Sequence, residues 1–404
     1  MTNMPLHGVR ILDLGRTFAA PICTQMLADL GAEVIKVERL GRGDEIRYYG
    51  PPFLKDEAGQ DTPFSSYFIS ANRNKRSIAI DFTKTEGQQI ILDLARTCHV
   101  CVENYKVGDL ARYGLDYRGL SSVNPELIYC SITGFGQTGP YAARPATDSV
   151  FQAMSGLMSV TGEPDGDPQK VGLVITDLLA GLNAAIAIQA ALRHIEVGQG
   201  AGQHIDISLL DVAVSTMSHR AVEYMMSGEI PLRMGTRTAG SAPAQIYRCK
   251  DGEINFQASA EPKFEALCAL LNRKDLLADA RFRTRAERVV NIDALQTELE
   301  FSLRSWTMRD LSEALIDAGI ICSPVYTMDQ ALEDPQIQER KLAREVNTKY
   351  GPAPIVANPI RMSGTPIKRY DGPPDIGQHT DEILRTVLLY DDANISRLRS
   401  SGAI

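Results

Sequence analysis

Short β-branched runs alternate with helical patterns through the first half of the chain. Val9–Asp13, Glu33–Val37, Ser77–Asp81, His99–Val102 and Leu127–Ser131 read as strands, while Pro21–Leu30 and Thr85–Ala95 carry apolar residues at helical spacing. That rhythm predicts an α/β fold whose large domain holds an open, mostly parallel, Rossmann-like sheet with helices on both faces. Ligands of such sheets bind beyond the carboxyl ends of the strands, which places a pocket at Asp13–Ala20 and Glu38–Gly43.

Past Met225 apolar residues thin out and Gly, Ser and Pro collect, and a new alternating pattern begins at Gln245. The predicted organisation is a large α/β domain over 1–224, a linker over 225–244, a smaller α+β domain over 245–325, and a segment over 326–404 that returns to the large domain. In the small domain Gln245–Cys249 and Glu253–Gln257 form one strand pair through Lys250–Gly252, followed by helices at Lys263–Leu271, Asn291–Ser302 and Met308–Ala318. A Pro-rich passage over 352–375 and a closing helix at Thr380–Leu389 complete the chain.

Composition narrows the classes of function. Apolar residues at 44% and charged residues at 23%, without low-complexity tracts, describe a globular protein, and a net charge of −8 argues against nucleic acid or an anionic membrane as partner. The first residues lack the pattern of a signal peptide, no apolar run approaches a membrane span, and the expected location is cytoplasmic. The seven cysteines are odd in number and scattered, and Cys98 and Cys101, which have metal or redox spacing, read as core packing beside a strand. The six histidines contain no HExxH pair, no G-x-S-x-G elbow is present, and the turn Leu14–Ile22 lacks GxGxxG. No metal and no tightly bound cofactor is therefore expected.

Asp177 is the residue that stands out. It lies between the apolar run Val171–Ile175 and a small-residue helical pattern, where an ionised carboxylate must find donors, shift its pKa or do chemistry. Either Thr176 or Asp177 caps a helix that buries Leu178, Leu179, Leu182 and Ile186, or Asp177 is a nucleophile. Arg16, Arg39, Arg42 and Lys84 fall near predicted strand ends, where cations suit phosphates or simply face solvent.

Several segments in fixed order, Leu6–Asp13, Leu30–Arg39, Gly43–Asp44, Asn74–Ser77, Val102–Tyr105, Ser131–Pro140, the Asp177 segment, Gly200–Asp206 and Ile376–Thr380, resemble the class III (family III) CoA-transferases. That group also contains formyl-CoA and carnitine-CoA transferases and acyl-CoA racemases. The resemblance implies that Asp177 is the catalytic nucleophile, attacking an acyl-CoA to give an aspartyl anhydride and then, by one of two orders of steps, passing CoA to a free carboxylic acid. It implies CoA contacts at Arg16, Phe18, Ala19, Arg39, Ile80, Phe82, Lys84, Asn104, Tyr105, Arg112 and Tyr113, and a substrate pocket at Tyr49, Tyr67 and Phe135. It also implies an interlocked homodimer. The passages Arg47–Pro52, Leu127–Ile132, Thr147–Asp148, Ser155–Met158, Tyr390–Asp392 and Ser401–Ile404 are similar to the branch that uses succinyl-CoA with dicarboxylates such as glutarate or hydroxymethylglutarate. A distal carboxylate needs a cation, for which Arg16, Arg47 and Arg144 are the candidates and Arg16 the first choice.

Two alternatives stay within the same fold. An α-methylacyl-CoA racemase needs a second acid/base group, but Thr147 stands where those relatives carry His. An inactive CoA-binding protein is the other. The glycine-rich flap of formyl-CoA transferases corresponds here to Ala258–Pro262, where proline should stiffen any lid.

Overall fold

The computed structural model describes residues 4–198 and 200–404. The chain forms two compact units, one from residues up to Leu157, Lys170–Ser227 and Gln336–Ile404, the other from Met158–Gln169 and Gly228–Pro335. The C-terminal part thus belongs to the first unit. Met158–Gln169, which the sequence places inside the large domain, belongs to the second.

The first unit is built on six strands, β1 (Arg10–Asp13), β2 (Glu33–Glu38), β3 (Lys75–Ala79), β4 (Val100–Glu103), β5 (Ile128–Thr133) and β6 (His204–Ser208), in the order β3-β2-β1-β4-β5-β6. Every pairing is parallel. Side chains alternate between two buried cores. Ile11, Val34, Val100 and Ile128 join one, with α1 (Ala19–Asp29) and α3 (Ile175–Glu196), and Leu12, Ile35, Cys101 and Tyr129 join the other, under the helix Thr85–Thr97. Continuous apolar strands follow from this two-sided burial. The strand predicted at Ser77–Asp81 begins earlier, at Lys75, because a buried acid pairs the lysine and lets a charge enter the sheet. β6 gave no apolar run because it is an edge strand with only Ser208 fully buried.

α3 corrects two expectations. At 22 residues it is long and apolar enough, by length and composition, to cross a membrane. Its buried residues are Thr176, Ala180, Gly181, Ala184, Ala185, Ile188, Ala191 and Leu192, whereas Leu182 and Ile186 are exposed. The reason is close packing on α1: a Cβ on Gly181 would meet the Ala19 carbonyl at 2.7 Å. Small side chains let two helix backbones approach and turn the bulky ones outward.

The second unit holds a three-stranded antiparallel sheet of Ala244–Arg248, Glu253–Gln257 and Ile321–Pro324, where the sequence showed only a pair, with helices at Glu261–Leu270, Ile292–Leu303 and Met308–Asp317. Ala258–Pro262 leads into the first of these helices and is tied down. The fully buried Arg288 reaches the Ser259 carbonyl at 2.7 Å and the Glu261 carboxylate at 2.8 Å. Back in the first unit, the Pro-rich passage opens on a hairpin, Ala343–Thr348 with Gly351–Val356, that packs on Ile46, Phe64 and Phe68.

Candidate active site

The turn after β1 is held from several directions. Its Gly15 amide donates to Asp13 Oδ1 at 2.8 Å, and Lys36 Nζ donates to the Gly15 carbonyl at 2.8 Å. Asn104 clamps Arg16 by accepting from its amide at 2.9 Å and donating to its carbonyl at 2.7 Å. Thr17 adopts a φ of 60° while its amide donates to Asp44 Oδ1 at 2.9 Å. Positive φ is costly for a β-branched residue, so this turn keeps its shape through its partners.

Beneath the turn lies a set of buried charges that sequence reasoning missed. Asp13 pairs with Lys75 at 3.0 Å, Lys36 with Asp44 at 2.9 Å, and Glu38 with Arg47 at 2.7 Å, all essentially without exposure. Arg47 also donates to the Pro374 carbonyl at 2.9 Å and lies 3.6 Å from the centre of the Phe68 ring. It is therefore a structural residue, which removes it from the candidates for a substrate carboxylate.

A cavity of about 440 Å³ opens beyond the carboxyl ends of β1, β2 and β3, lined by Arg16, Arg39, Arg42, Ile80, Phe82 and Tyr105 among others. A neighbouring cavity of about 210 Å³ shares Arg16, Phe82 and Tyr105 and adds Arg112 and Tyr113. The Arg16 guanidinium sits 4.3 Å above the Tyr105 ring, and Phe82 meets Tyr105 and Tyr113 edge-on at 5.9 and 5.5 Å. Arg39 and Arg42 are exposed at the rim. Cations above an aromatic floor suit phosphates joined to a planar, stacking group. Lys84 stands apart, its ammonium donating to the Ser401 carbonyl at 2.5 Å.

Asp177 lines a third cavity, of about 190 Å³, with Ala19, Asn104, Tyr105, Lys106, Thr133 and Arg144. Tyr105 is common to the linings of all three cavities, which places them side by side. Asp177 lies in the first turn of α3, but it does not cap that helix. Asp148, at the start of α2 (Asp148–Met154), does so from outside: its Oδ1 accepts from the Thr176 amide at 2.9 Å and hydroxyl at 2.8 Å, and its Oδ2 accepts from Gln152 at 2.6 Å. Asp177 is left for other work. Burial, joined by the nearby Asp148 charge, pushes its carboxyl up to about 7, against a hydrogen bond from the Ala19 amide. The carboxyl sits in the first turn of α3 with the start of α1 nearby, and both helix N-termini favour the anion. A half-buried carboxylate with so few donors keeps its nucleophilic lone pairs unspent.

The remaining predicted residues occupy distinct places. Phe18 and Tyr67 line a shallow pocket of about 280 Å³ on the other side of Leu178, with Tyr49 edge-on to Tyr67 at 6.2 Å. Phe135 packs edge-on between Phe151, a wall of the Asp177 cavity, and Tyr141, at 5.3 and 5.6 Å. Thr147 is exposed, its hydroxyl 3.4 Å from Ser149, and supplies no proton relay. Cys98 and Cys101 are buried free thiols, and the described residues contain no metal-ligating cluster.

Comparisons with known proteins give the family. The profile of CoA-transferase family III matches residues 6–380. The chain is 40% identical over 391 residues to the succinate–glutarate CoA-transferase of Agrobacterium fabrum, covering 95% of this chain and 97% of that one. It is 39% identical to the human succinyl-CoA:glutarate CoA-transferase, covering 100% and 91%. Its structure matches the crystal structure of a CAIB/BAIF family protein from Brucella suis with a TM-score of 0.88 at 40% identity, covering 94% and 98%. The chain belongs to CoA-transferase family III and is an enzyme of that family.

Proposed function

We propose that this enzyme moves CoA from succinyl-CoA to a free dicarboxylic acid through covalent intermediates on Asp177. The observation that carries the proposal is the placement of one sparsely hydrogen-bonded carboxylate in a small cavity that shares its Tyr105 wall with a cation-rimmed cleft. The relatives named as succinate–glutarate and succinyl-CoA:glutarate transferases supply the substrate class.

A carboxylate oxygen of Asp177 attacks the thioester carbonyl carbon, the C–S bond breaks, and CoA leaves as thiolate. The product is an aspartyl–succinyl anhydride. The thiolate then attacks the aspartyl carbon, succinate leaves, and the protein holds an aspartyl-CoA thioester. An acceptor carboxylate displaces CoA to form a second anhydride, and thiolate attack on the acceptor carbon releases the new acyl-CoA with Asp177 restored as carboxylate. No net proton is consumed, and water must be kept out because each intermediate hydrolyses. In this reading Arg16, Arg39 and Arg42 face the CoA phosphates, and Phe82, Tyr105 and Tyr113 face its apolar parts.

The same reading includes an interlocked homodimer acting on soluble acyl-CoA in the cytoplasm. Apolar side chains at 66% exposure on Ile186, 72% on Met225 and 83% on Met226 support a covering partner surface. Light scattering of the purified protein tests it, and a monomer at micromolar concentration would refute it.

The chemistry is tested by mass spectrometry of the protein with succinyl-CoA and glutarate. Glutaryl-CoA is expected from the parent and not from Asp177→Ala, with hydroxylamine expelling CoA from the aspartyl thioester and leaving a hydroxamate on the peptide that contains Asp177. Full exchange by Asp177→Ala, or a trap on another residue, would sink the assignment.

A further inference from the structure

Resting on the proposed function, we propose that Arg144 is the residue that reads the distal carboxylate of the dicarboxylate substrate and so separates diacids from monoacids. A succinyl group delivered to Asp177 ends in a carboxylate that must lie within, or at the mouth of, the cavity around that residue. The cavity, at about 190 Å³, has the volume of roughly six waters at ~30 Å³ each. Burying an unpaired carboxylate there is costly, so a cation is required on its wall.

Among the described residues the wall offers two cations, Lys106 and Arg144, and neither has a carboxylate partner within ion-pair distance. Arg16, the first choice from sequence, lines the two larger cavities and lies over Tyr105. Arg144 differs from Lys106 in being held. Its guanidinium lies 3.8 Å from the centre of the Tyr141 ring, Tyr141 meets Phe135 edge-on, and Phe135 meets Phe151, which is buried in the core. This aromatic stack runs from the hydrophobic core to the guanidinium and orients a planar fork that matches a carboxylate by two parallel hydrogen bonds. Both side chains are exposed, but among the described residues no ring contact or hydrogen bond holds the Lys106 ammonium.

The test is isotope exchange between an acid and its own thioester, so that no third acid enters. Labelled succinate with succinyl-CoA is compared with labelled butyrate and butyryl-CoA, which differ only at the distal group, in the parent, Arg144→Ala, Arg144→Lys and Lys106→Ala. In Arg144→Ala the succinate-to-butyrate ratio of kcat/KM should fall by about 10- to 100-fold, the loss expected for one charge-assisted hydrogen-bonded contact. Arg144→Lys should fall between, and Lys106→Ala should lower the ratio less than Arg144→Ala. An equal loss of both exchanges in Arg144→Ala would mark a merely structural residue, and a larger fall of the ratio in Lys106→Ala would transfer the role; either overturns the inference. A parent that exchanges butyrate as readily as succinate overturns the inference alone. A parent that exchanges neither overturns the proposed function with it.

Discussion

Two groups of buried charge lie close together in the first unit and behave in opposite ways. Under the turn after β1, each acid has a matched base: Asp13 with Lys75, Asp44 with Lys36, Glu38 with Arg47. Burial works to raise the Glu38 carboxyl, but the Arg47 guanidinium, helped by Lys36 and the Ser77 hydroxyl, more than offsets it and holds the acid below its ordinary range. At the start of α3, two acids lie near each other, and neither forms an ion pair among the described residues. Asp148 takes all its hydrogen bonds, and Asp177, with only the Ala19 amide, is pushed up to about 7. The paired set fixes geometry, while the acid left without a base stays reactive.

The largest effect should come from breaking the paired set. Arg47→Met leaves Glu38 buried with its main counter-charge gone, and loss of one partner of a buried pair costs about 3–5 kcal/mol. Urea denaturation should show that loss, and the double variant Arg47→Met/Glu38→Gln should recover much of it. A single variant as stable as the parent would mean that the pair contributes nothing to holding the floor of the cleft.

Removing charge from Asp177 should act in the other direction. Burial pushes its carboxyl up to about 7 in the folded protein against 3.8 ordinarily, so well below pH 3.8 it is protonated in both states and costs nothing, and the cost builds between those two values. Above 7 the folded state carries the buried anion, and the loss of stability is complete. Asp177→Asn should match the parent well below pH 3.8 and exceed it at pH 8 by on the order of 1–2 kcal/mol, after allowing for partial solvent screening. Calorimetry at the two pH values checks this, and a gain of equal size at both would assign it to packing instead. The gain in stability should come with loss of transfer.

How much of this was legible beforehand follows the same division. Strand positions such as Ile11, Val34 and Val100 were readable because burial on both faces leaves an apolar run. Asp177 was visible as a charge in an apolar setting, and the family motifs point to the role proposed for it. Asp148 was not, since its partner Thr176 lies on a second helix, and no local pattern encodes the meeting of the two. Lys36, Glu38 and Lys75 lie inside strands, where a charge signals a buried network, but only the parallel register brings them together. Leu182 and Ile186 were assigned to the core on hydrophobicity, yet Gly181 and the alanines decide which face of α3 can approach α1.

A smaller effect separates burial from charge at Asp177 itself. Asp148→Asn keeps an acceptor for Thr176 but removes the nearby anion, which should move the Asp177 titration down toward the ordinary carboxylate range. Transfer needs the carboxylate, so the parent rate should rise with pH through about 7, and in Asp148→Asn that rise should come at lower pH. The pH dependence of kcat/KM measures it. An unmoved midpoint would leave burial as the sole cause.

The smallest change tests whether the paired region serves the reactive one. Thr17 joins them: its amide binds Asp44 of the ionic floor, and the residue lines the Asp177 cavity two positions before Ala19. Its φ of 60° costs a β-branched residue about 1 kcal/mol or more. Glycine removes that strain but gains about 0.4–1 kcal/mol of freedom in the unfolded chain, so Thr17→Gly should change stability by less than about 1 kcal/mol. Function should suffer more than the fold. The turn carries Arg16 toward the cleft and Ala19 toward Asp177, and a turn free to leave its left-handed conformation holds neither at a fixed distance. KM for acyl-CoA should rise in Thr17→Gly with the melting temperature almost unmoved. A variant with parent kinetics would mean that Asp44 and Asn104 suffice to hold the turn, and that the strain at Thr17 has no part in the reaction.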